Sequence, residues 1–164
     1  MELPSVGRQE FLGALGRLAG GVTLVTSRGQ QKDCGMTATS FISVSVEPPL
    51  VLVALDRTSE TAASVTNSGS FGVSLLTAEQ SELSKRFAVP GQGDKFATGR
   101  WRVGLTGVPV LEDAHATLEC VVYSQHPAGD HVLYLGRVIG TCLADDSLPL
   151  IYHQMAYHFP QSLE

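Results

Sequence analysis

The spacing of apolar and polar residues predicts a chain built mainly of β-strands with a few short helices. Apolar residues recur at helical spacing over residues 5–19, and Gly20 and Gly21 are expected to end that helix. Elsewhere, apolar residues alternate with polar ones or form short continuous runs, which is typical of strands. The predicted strands are residues 22–27, 35–46, 50–55, 70–76, 115–123 and 131–143.

Residues that begin and end helices mark two further short helices. Thr58 or Ser59 is a candidate N-cap for a helix that ends near Gly69. Residues 77–80 have the pattern of a capping box, which predicts a second helix that runs to about Ala88.

Two connecting segments are rich in turn-forming residues. Residues 89–114 contain many glycines and prolines and predict an ordered loop that is anchored by Trp101, whereas residues 126–130 predict a hairpin between the last two long strands. Strands outnumber helices and most connections are short. The predicted architecture is therefore an antiparallel β-barrel with peripheral helices, forming a single domain over residues 1–164.

Composition narrows the class of protein. The 164 residues, 43% of them hydrophobic, are enough for one domain with a sizeable core, and a net charge of −5 argues against a nucleic-acid-binding surface. No apolar run is long enough to cross a bilayer and the first residues lack a secretory pattern, so we expect neither secretion nor membrane insertion. The three cysteines, Cys34, Cys120 and Cys142, are far apart, which predicts buried reduced thiols in a cytoplasmic protein.

Several common catalytic and binding motifs are absent from the sequence. No G-x-G-x-x-G follows a predicted strand, which argues against a Rossmann dinucleotide site, and no G-x-S-x-G indicates a hydrolase. Residues 91–95 resemble a phosphate-binding loop only in composition. The histidines lack a metal-binding spacing, so no metal is predicted, and His153 and His158 are expected to be solvated surface residues.

The segment from Gly35 to Phe41 is unusually small and polar for a strand beside an apolar one. Small hydroxyl residues around a glycine allow a flat polar ligand to approach the backbone, and their donors can satisfy ring oxygens and nitrogens. The edge of a flavin has this chemistry. The alternative is an exposed edge strand that is rich in Thr and Ser, because Thr favours strands in any case.

The order of four motifs resembles the flavin reductase domain family. The motifs are residues 21–26, residues 35–41 with 43–50, residues 69–76 leading into 83–88, and residues 129–138. The resemblance implies an FMN-binding split β-barrel of antiparallel, Greek-key type that usually forms a homodimer. It also implies an NAD(P)H:flavin oxidoreductase that uses FMN or FAD and supplies reduced flavin to a separate monooxygenase.

The resemblance further implies a set of site residues, with His131 as the catalytic residue that contacts the nicotinamide or flavin ring. For Ser59 and Thr61, the alternative to phosphate binding is simple helix capping; for Lys85 and Arg86, it is compensation of a helix dipole. The implied cofactor-binding residues are Thr37, Ala38, Thr39, Ser40, Val53, Ala54, Leu55, Ser59, Thr61, Lys85, Arg86, Phe87, Tyr152 and Tyr157.

The remaining alternatives concern the aromatic residues and the hairpin. Phe87 is expected to pack either on the flavin or in the core. One of Tyr152 and Tyr157 is expected to border the nicotinamide site, and the other to be a packing residue. For His131, the alternative is a solvated hairpin histidine, and we expect Asp130 to fix the turn through local hydrogen bonds.

The choice of nucleotide and two rival functions stay open from the sequence. A 2′-phosphate would need a local cluster of arginines, and its absence from the sequence favours NADH over NADPH. The rivals are a non-enzymatic flavin carrier or redox sensor, and a split-barrel oxidase that acts directly on a small molecule.

Overall fold

The computed structural model describes residues 4–144 and 147–162. Its α-helices are α1 (Arg8–Leu15), α2 (Glu60–Ser68) and α3 (Ser81–Ala88). Its strands, in chain order, are β1 (Gly20–Gly21), β2 (Thr23–Arg28), β3 (Asp33–Ala38), β4 (Phe41–Ser45), β5 (Leu50–Asp56), β6 (Ser70–Leu75), β7 (Trp101–Val103), β8 (Pro109–Leu111), β9 (Ala116–Ala128), β10 (His131–Leu143), β11 (Ile151–His153) and β12 (Ala156–His158).

The main sheet has seven antiparallel strands in the order β3-β2-β6-β9-β10-β5-β4. Its two edge strands, β3 and β4, are consecutive in the chain and are joined only by Thr39 and Ser40. The amide of Ala54 in β5 donates to the carbonyl of Ser40 at 3.2 Å. A two-residue link between opposite edges requires the sheet to curl until those edges approach, so the sheet forms an incompletely closed barrel. The prediction of a mainly β, split-barrel fold is confirmed.

Two smaller sheets complete the fold. One contains β1, β11 and β12, and the other is the hairpin of β7 and β8. Two apolar clusters lie inside this framework. The first fills the curled sheet beneath α2 and includes Phe71 and Tyr134; the second lies under α3 and includes Phe87 and Leu111.

The predicted caps of α2 and α3 are confirmed. Ser59 caps α2, and Gly69 ends it in the left-handed conformation at φ 69°. Thr77 and Gln80 form both hydrogen bonds of a capping box, at a short 3₁₀ turn that leads into α3.

Two predicted elements are longer than those in the structure. The helix expected over 5–19 covers only Arg8–Leu15, because Gly16 follows it and the glycines at 20 and 21 pair with β11 as β1. The strand expected over 35–46 is divided into β3 and β4, since the chain changes sheet edge at Thr39 and Ser40.

The last connections also differ from the prediction. The loop predicted over 89–114 contains the β7-β8 hairpin and a 3₁₀ turn at Lys95–Ala97. Trp101 is its anchor as expected, because its ring packs 5.5 Å from that of Phe87. The hairpin predicted at 126–130 turns only at Gly129 and Asp130, so β9 continues to Ala128.

The cysteines are only partly as predicted. All three are free, but Cys120 alone is buried, whereas Cys34 is half-buried and Cys142 is exposed. The expectation of three buried thiols is therefore wrong for two of them.

Within residues 4–144 and 147–162, none of the helices has both the length and the apolar character needed to span a bilayer.

Candidate functional site

A cavity of about 950 Å³, here called the larger cavity, lies between β3, the N-terminus of α2 and the segment after α3. Its volume falls within the range of ~300–1,000 Å³ that is usual for small-molecule sites. Its walls come from residues 32–36, Asp56, residues 58–61, residues 87–88 and residues 90–96. It therefore brings together predicted site residues from two helices.

The N-terminus of α2 forms one wall of the larger cavity. The Ser59 hydroxyl oxygen accepts from the amide of Ala62 at 3.1 Å, and the same hydroxyl donates to the carbonyl of Asp56 at 2.7 Å. The amides of Glu60 and Thr61 are the first two of the helix, where no intrahelical carbonyl can accept them. Together with the helix dipole, these amides favour an anion at this wall.

Two lysines bring positive charge to the same cavity. The Lys32 ammonium lies 2.9 Å from the Glu60 carboxylate, and this hydrogen-bonded ion pair raises the pKa of Lys32 and lowers that of Glu60. The Lys95 ammonium donates to the carbonyl of Phe87 at 3.1 Å, and its partial burial lowers its pKa. Lys32 is paired with Glu60, so among the described residues that line this cavity Lys95 is the cation without a carboxylate partner.

Aromatic rings form the floor of the larger cavity. Phe87 is 1% exposed, and its ring centroid lies 5.2 Å from that of Phe96 in an edge-to-face arrangement. A Cβ at Gly35 would lie 2.8 Å from a Phe87 ring atom, so this position of β3 must be glycine for the rings to pack. Phe87 is therefore a core residue that also lines the cavity, and its contact with a flavin stays a prediction.

His131 lies at the rim of the larger cavity rather than in its wall. It begins β10 in register with Asp56, which does line the cavity. Its Nδ1 donates to the Asp130 carboxylate at 2.7 Å, and this hydrogen bond lowers the pKa of Asp130. The Asp130 carbonyl also accepts from the amide of Arg57 at 3.0 Å, so Asp130 fixes the turn and the imidazole together.

Lys85 and Arg86 do not line the larger cavity. They lie on the other side of α3, in a second cavity of about 560 Å³ that we call the smaller cavity. The Lys85 ammonium pairs with Glu82 at 2.5 Å, and a guanidinium nitrogen of Arg86 donates to the carbonyl of Asp94 at 2.7 Å.

Residues 37–40 comprise the end of β3 and its link to β4, and they do not line the larger cavity. The Thr37 hydroxyl donates to the carbonyl of Ser84 at 2.6 Å, and Ala38 is buried. The Ser40 hydroxyl donates to the carbonyl of Ala54 at 2.7 Å. Thr39 and Ser40 are exposed, so they are the members of this segment that a ligand reaches most readily.

The three predicted site residues of β5, Val53, Ala54 and Leu55, differ in how far they are buried. Val53 and Leu55 are fully buried in the first apolar cluster, so only their backbone could meet a ligand. Ala54 points away from that cluster and is half-buried.

Tyr152 and Tyr157 pack against each other, with ring centroids 5.3 Å apart. The Tyr157 hydroxyl lies 2.9 Å from that of Ser84, and the Lys85 ammonium lies 6.0 Å from the Tyr157 ring centroid. Neither tyrosine lines the larger or the smaller cavity.

The sequence reasoning missed Lys32 and Lys95. Lys95 is part of the Gly-rich run 91–95, which resembles a phosphate-binding loop in composition but lacks the spacing of one. That composition was a usable signal, since this run lines the larger cavity opposite α2. Lys32 gave no comparable signal, because a lysine beside a predicted turn is ordinary.

Comparison with known proteins gives matches over most of the chain. The family model described as "Flavin reductase like domain" matches residues 15–160. An NADH-dependent flavin reductase of Rhodococcus is 39% identical over 153 residues, covering 92% of this chain and 85% of that protein. The reductase component of 4-hydroxyphenylacetate 3-monooxygenase from Thermus thermophilus is 36% identical over 151 residues, covering 92% of this chain and 95% of that protein.

Among solved structures, the NADH:FAD oxidoreductase SgcE6 of Streptomyces globisporus superposes with a TM-score of 0.88 at 32% identity, covering 99% of both chains. The family model spans most of the chain, and each of these relatives exceeds 30% identity over most of its own length. The chain described here belongs to the flavin reductase like domain family.

Proposed function

We propose that this chain is an NADH-dependent flavin reductase that binds FMN or FAD in the larger cavity and releases reduced flavin to a partner monooxygenase. The observation that carries the assignment of the site is the meeting of the α2 N-terminus with Lys95 in one cavity. This arrangement supplies free amides and a cation to a phosphate group.

The residues present fit the phosphate end of a flavin nucleotide. Ser59, Glu60, Thr61 and Lys95 all line the same cavity. The free amides of Glu60 and Thr61 and the ammonium of Lys95 are suited to phosphate oxygens. We place the ring along β3, from Gly35 towards Ser40. Thr39 and Ser40 offer it polar contacts there, and the Ala54 backbone lies beside them.

When bound, flavin would supply the redox chemistry as the two-electron acceptor for NADH. The chain contributes binding and alignment, because no protein nucleophile is needed. In this proposal, His131 positions the nicotinamide ring, and Asp130 holds the imidazole by the Nδ1 hydrogen bond. Tyr157 supports α3 through its hydrogen bond to Ser84, and Tyr152 packs against Tyr157.

The proposal includes a homodimer. None of the α1 residues is buried, and Phe11, Leu12 and Leu15 are each about half exposed. Ile42 and Val44 of the edge strand β4 are also exposed. A second copy of the chain would bury these apolar side chains and could close the open side of the site near Thr39.

The proposal also includes a cytoplasmic location, which the free thiols support, and a single domain over residues 1–164.

The activity is tested by following NADH oxidation with and without added flavin. We expect oxidation only when FMN or FAD is supplied, with NADPH a poorer donor. Flavin binding without NADH oxidation would instead indicate a carrier or sensor. Tight flavin with oxidation of a small substrate would indicate an oxidase.

The release of reduced flavin is tested by separating this protein from a flavin-dependent monooxygenase with a membrane that passes flavin but not protein, under low oxygen. We expect product on the monooxygenase side. Product that forms only when the two proteins are mixed would show direct transfer and contradict release.

A further inference from the structure

Carboxylates outnumber cations among the charged side chains of the larger cavity. The charged residues that line it are Lys32, Asp33, Asp56, Glu60, Asp94 and Lys95. Asp33 is balanced by Arg28, whose guanidinium lies 3.1 Å from its carboxylate. The two lysines then face the three remaining carboxylates. Counted over the described residues, the lining therefore has no excess of positive charge, so the charge of a ligand affects how well it binds.

Glu60 brings one of these carboxylates to the wall where the phosphate is proposed to bind. It is the first residue of α2, so its own amide is one of the free amides of that wall. The hydrogen-bonded ion pair with Lys32 lowers the pKa of Glu60, and the charge of Lys95 adds to this effect. One ionised carboxylate therefore interacts with both lysines of the cavity.

The other two carboxylates hold turns, whereas Glu60 does not. The Asp56 carboxylate accepts from the amide and the hydroxyl of Thr58, each at 2.7 Å, and that of Asp94 accepts from the amide of Phe96 at 3.0 Å. The ion pair of Glu60 with Lys32 instead joins two walls of the cavity, and its side chains are 73% and 68% exposed. Exposed ion pairs of this kind contribute little to stability, so a phosphate can compete for Lys32.

The two flavin nucleotides differ in the charge that they place beside Glu60. FMN ends in a phosphate monoester, which carries ~1.5–2 negative charges at neutral pH. In FAD the same phosphate is esterified on both sides and carries a single charge. Because repulsion scales with the product of the two charges, the Glu60 carboxylate disfavours the phosphate of FMN more strongly than that of FAD.

We propose that Glu60 determines the flavin preference of this chain, by disfavouring the phosphate monoester of FMN and so selecting FAD. Lys32 opposes it, since the same ion pair limits the repulsion. The inference rests on the proposed function for the position of the phosphate at α2. Riboflavin has no phosphate, so its affinity does not depend on Glu60.

Equilibrium binding of riboflavin, FMN and FAD, followed by flavin fluorescence, tests the proposal without relying on activity. We expect Glu60→Gln to bind FMN roughly tenfold and FAD roughly threefold more tightly, because one unit charge ~6 Å away at the surface is worth about threefold and the effect scales with ligand charge. Riboflavin affinity should stay unchanged. The wild type should prefer FAD to FMN.

Two further variants separate the charge of Glu60 from other effects. Lys32→Gln leaves the Glu60 carboxylate without its cation, so it should weaken FMN binding more than FAD binding. Glu112→Gln is the matched control, because Glu112 pairs with Arg100 at 3.3 Å and lines neither cavity. It should bind all three flavins as the wild type does.

Equal changes for FMN and FAD in Glu60→Gln, or none, would overturn the inference. So would a wild type that prefers FMN, a changed riboflavin affinity in Glu60→Gln, or tighter FMN binding in Lys32→Gln. A wild-type protein that binds FAD in preference to FMN but oxidises no NADH would contradict the proposed function and leave the role of Glu60 standing.

Discussion

Ser59 caps α2 and also lines the larger cavity beside the proposed phosphate site. Asp is as good an N-cap as Ser, so Ser59→Asp should preserve α2 while placing a carboxylate beside the phosphate. We expect FMN affinity to fall by roughly tenfold or more from charge repulsion, because two like charges ~4 Å apart interact strongly near a protein surface. Affinity for riboflavin, which has no phosphate, should change little.

Ser59→Gly is the matched control, because glycine at an N-cap costs only a few tenths of a kcal/mol, about 0.3, in helix stability. Its melting temperature should remain close to that of the wild type. Equal losses of FMN and riboflavin affinity in Ser59→Asp would show that the substitution disturbs the cavity as a whole, and the phosphate assignment would fail.

The geometry of His131 predicts a defect in the reaction rather than in flavin binding. His131→Ala should slow reduction of bound flavin by NADH, because misplacing the donor by ~1 Å costs on the order of a hundredfold in rate. Affinity for oxidised flavin should be retained, since the imidazole lies outside the cavity wall. Anaerobic stopped-flow absorbance measures the rate. Asp130→Asn keeps the turn but weakens the hydrogen bond to His131 Nδ1, so it should give an intermediate rate. A wild-type rate in His131→Ala would contradict the proposed role of His131 in positioning the nicotinamide ring.

Cys120 predicts a specific pH dependence of stability. Burial raises the pKa of its thiol from 9.0 to about 12, so between these values the folded protein retains a proton that the unfolded chain has lost. Stability from this group is complete below pH 9 and is lost as the pH rises towards 12, at up to about 1.4 kcal/mol per pH unit. Urea unfolding at pH 8 and pH 10 should show a steeper loss in the wild type than in Cys120→Ala. Parallel losses in the two proteins would contradict this account.

At the scale of elements, a buried carboxylate attaches the β7-β8 segment to the main sheet. Glu119 of β9 is 3% exposed, and its carboxylate accepts from Arg102 at 3.1 Å and from the amide of Leu105. A Cβ at Gly104 would overlap this carboxylate, so the chain passes closely over it only because that residue is glycine. The segment that carries Trp101 is therefore tied to β9 by charge as well as by packing.

Glu119 is buried whereas Arg102 is partly exposed, so replacing each of them should lower the stability of the fold by a different amount. Arg102→Gln leaves the buried Glu119 carboxylate without its cation and should destabilise the fold by about 3 kcal/mol or more. Glu119→Gln leaves a guanidinium that water can reach, and should cost only about 1–2 kcal/mol. Denaturant unfolding of both variants makes the comparison. A larger loss in Glu119→Gln than in Arg102→Gln would contradict this account.

The element boundaries show where local sequence was sufficient. The cap of α2 and the capping box before α3 depend on residues within one helical turn, so they were predicted correctly. The division of the strand at Thr39 was not, because these residues favour an extended chain and only the meeting of the two sheet edges requires the change of strand.

At the scale of the whole molecule, the exposed apolar side chains of α1 predict a homodimer. Light scattering should give twice the mass of one chain. Leu12→Glu combined with Leu15→Glu should shift the protein towards monomer, because carboxylates in an apolar interface are costly to desolvate. Arg8→Glu on the same helix is the control for added negative charge and should remain dimeric. A wild-type protein with the mass of one chain and stoichiometric flavin would contradict the dimer.

The sequence by itself determined the mainly β architecture, the helix caps and the family, because these depend on local spacing and on the order of motifs. It also indicated the α2 N-terminus as an anion site. Tertiary structure alone decided which cations share that cavity. The curvature of the sheet and the face on which α3 packs bring Lys32 and Lys95 to the larger cavity, and they turn Lys85 and Arg86 into the smaller one. These placements result from contacts between residues far apart in the chain, which no local pattern encodes.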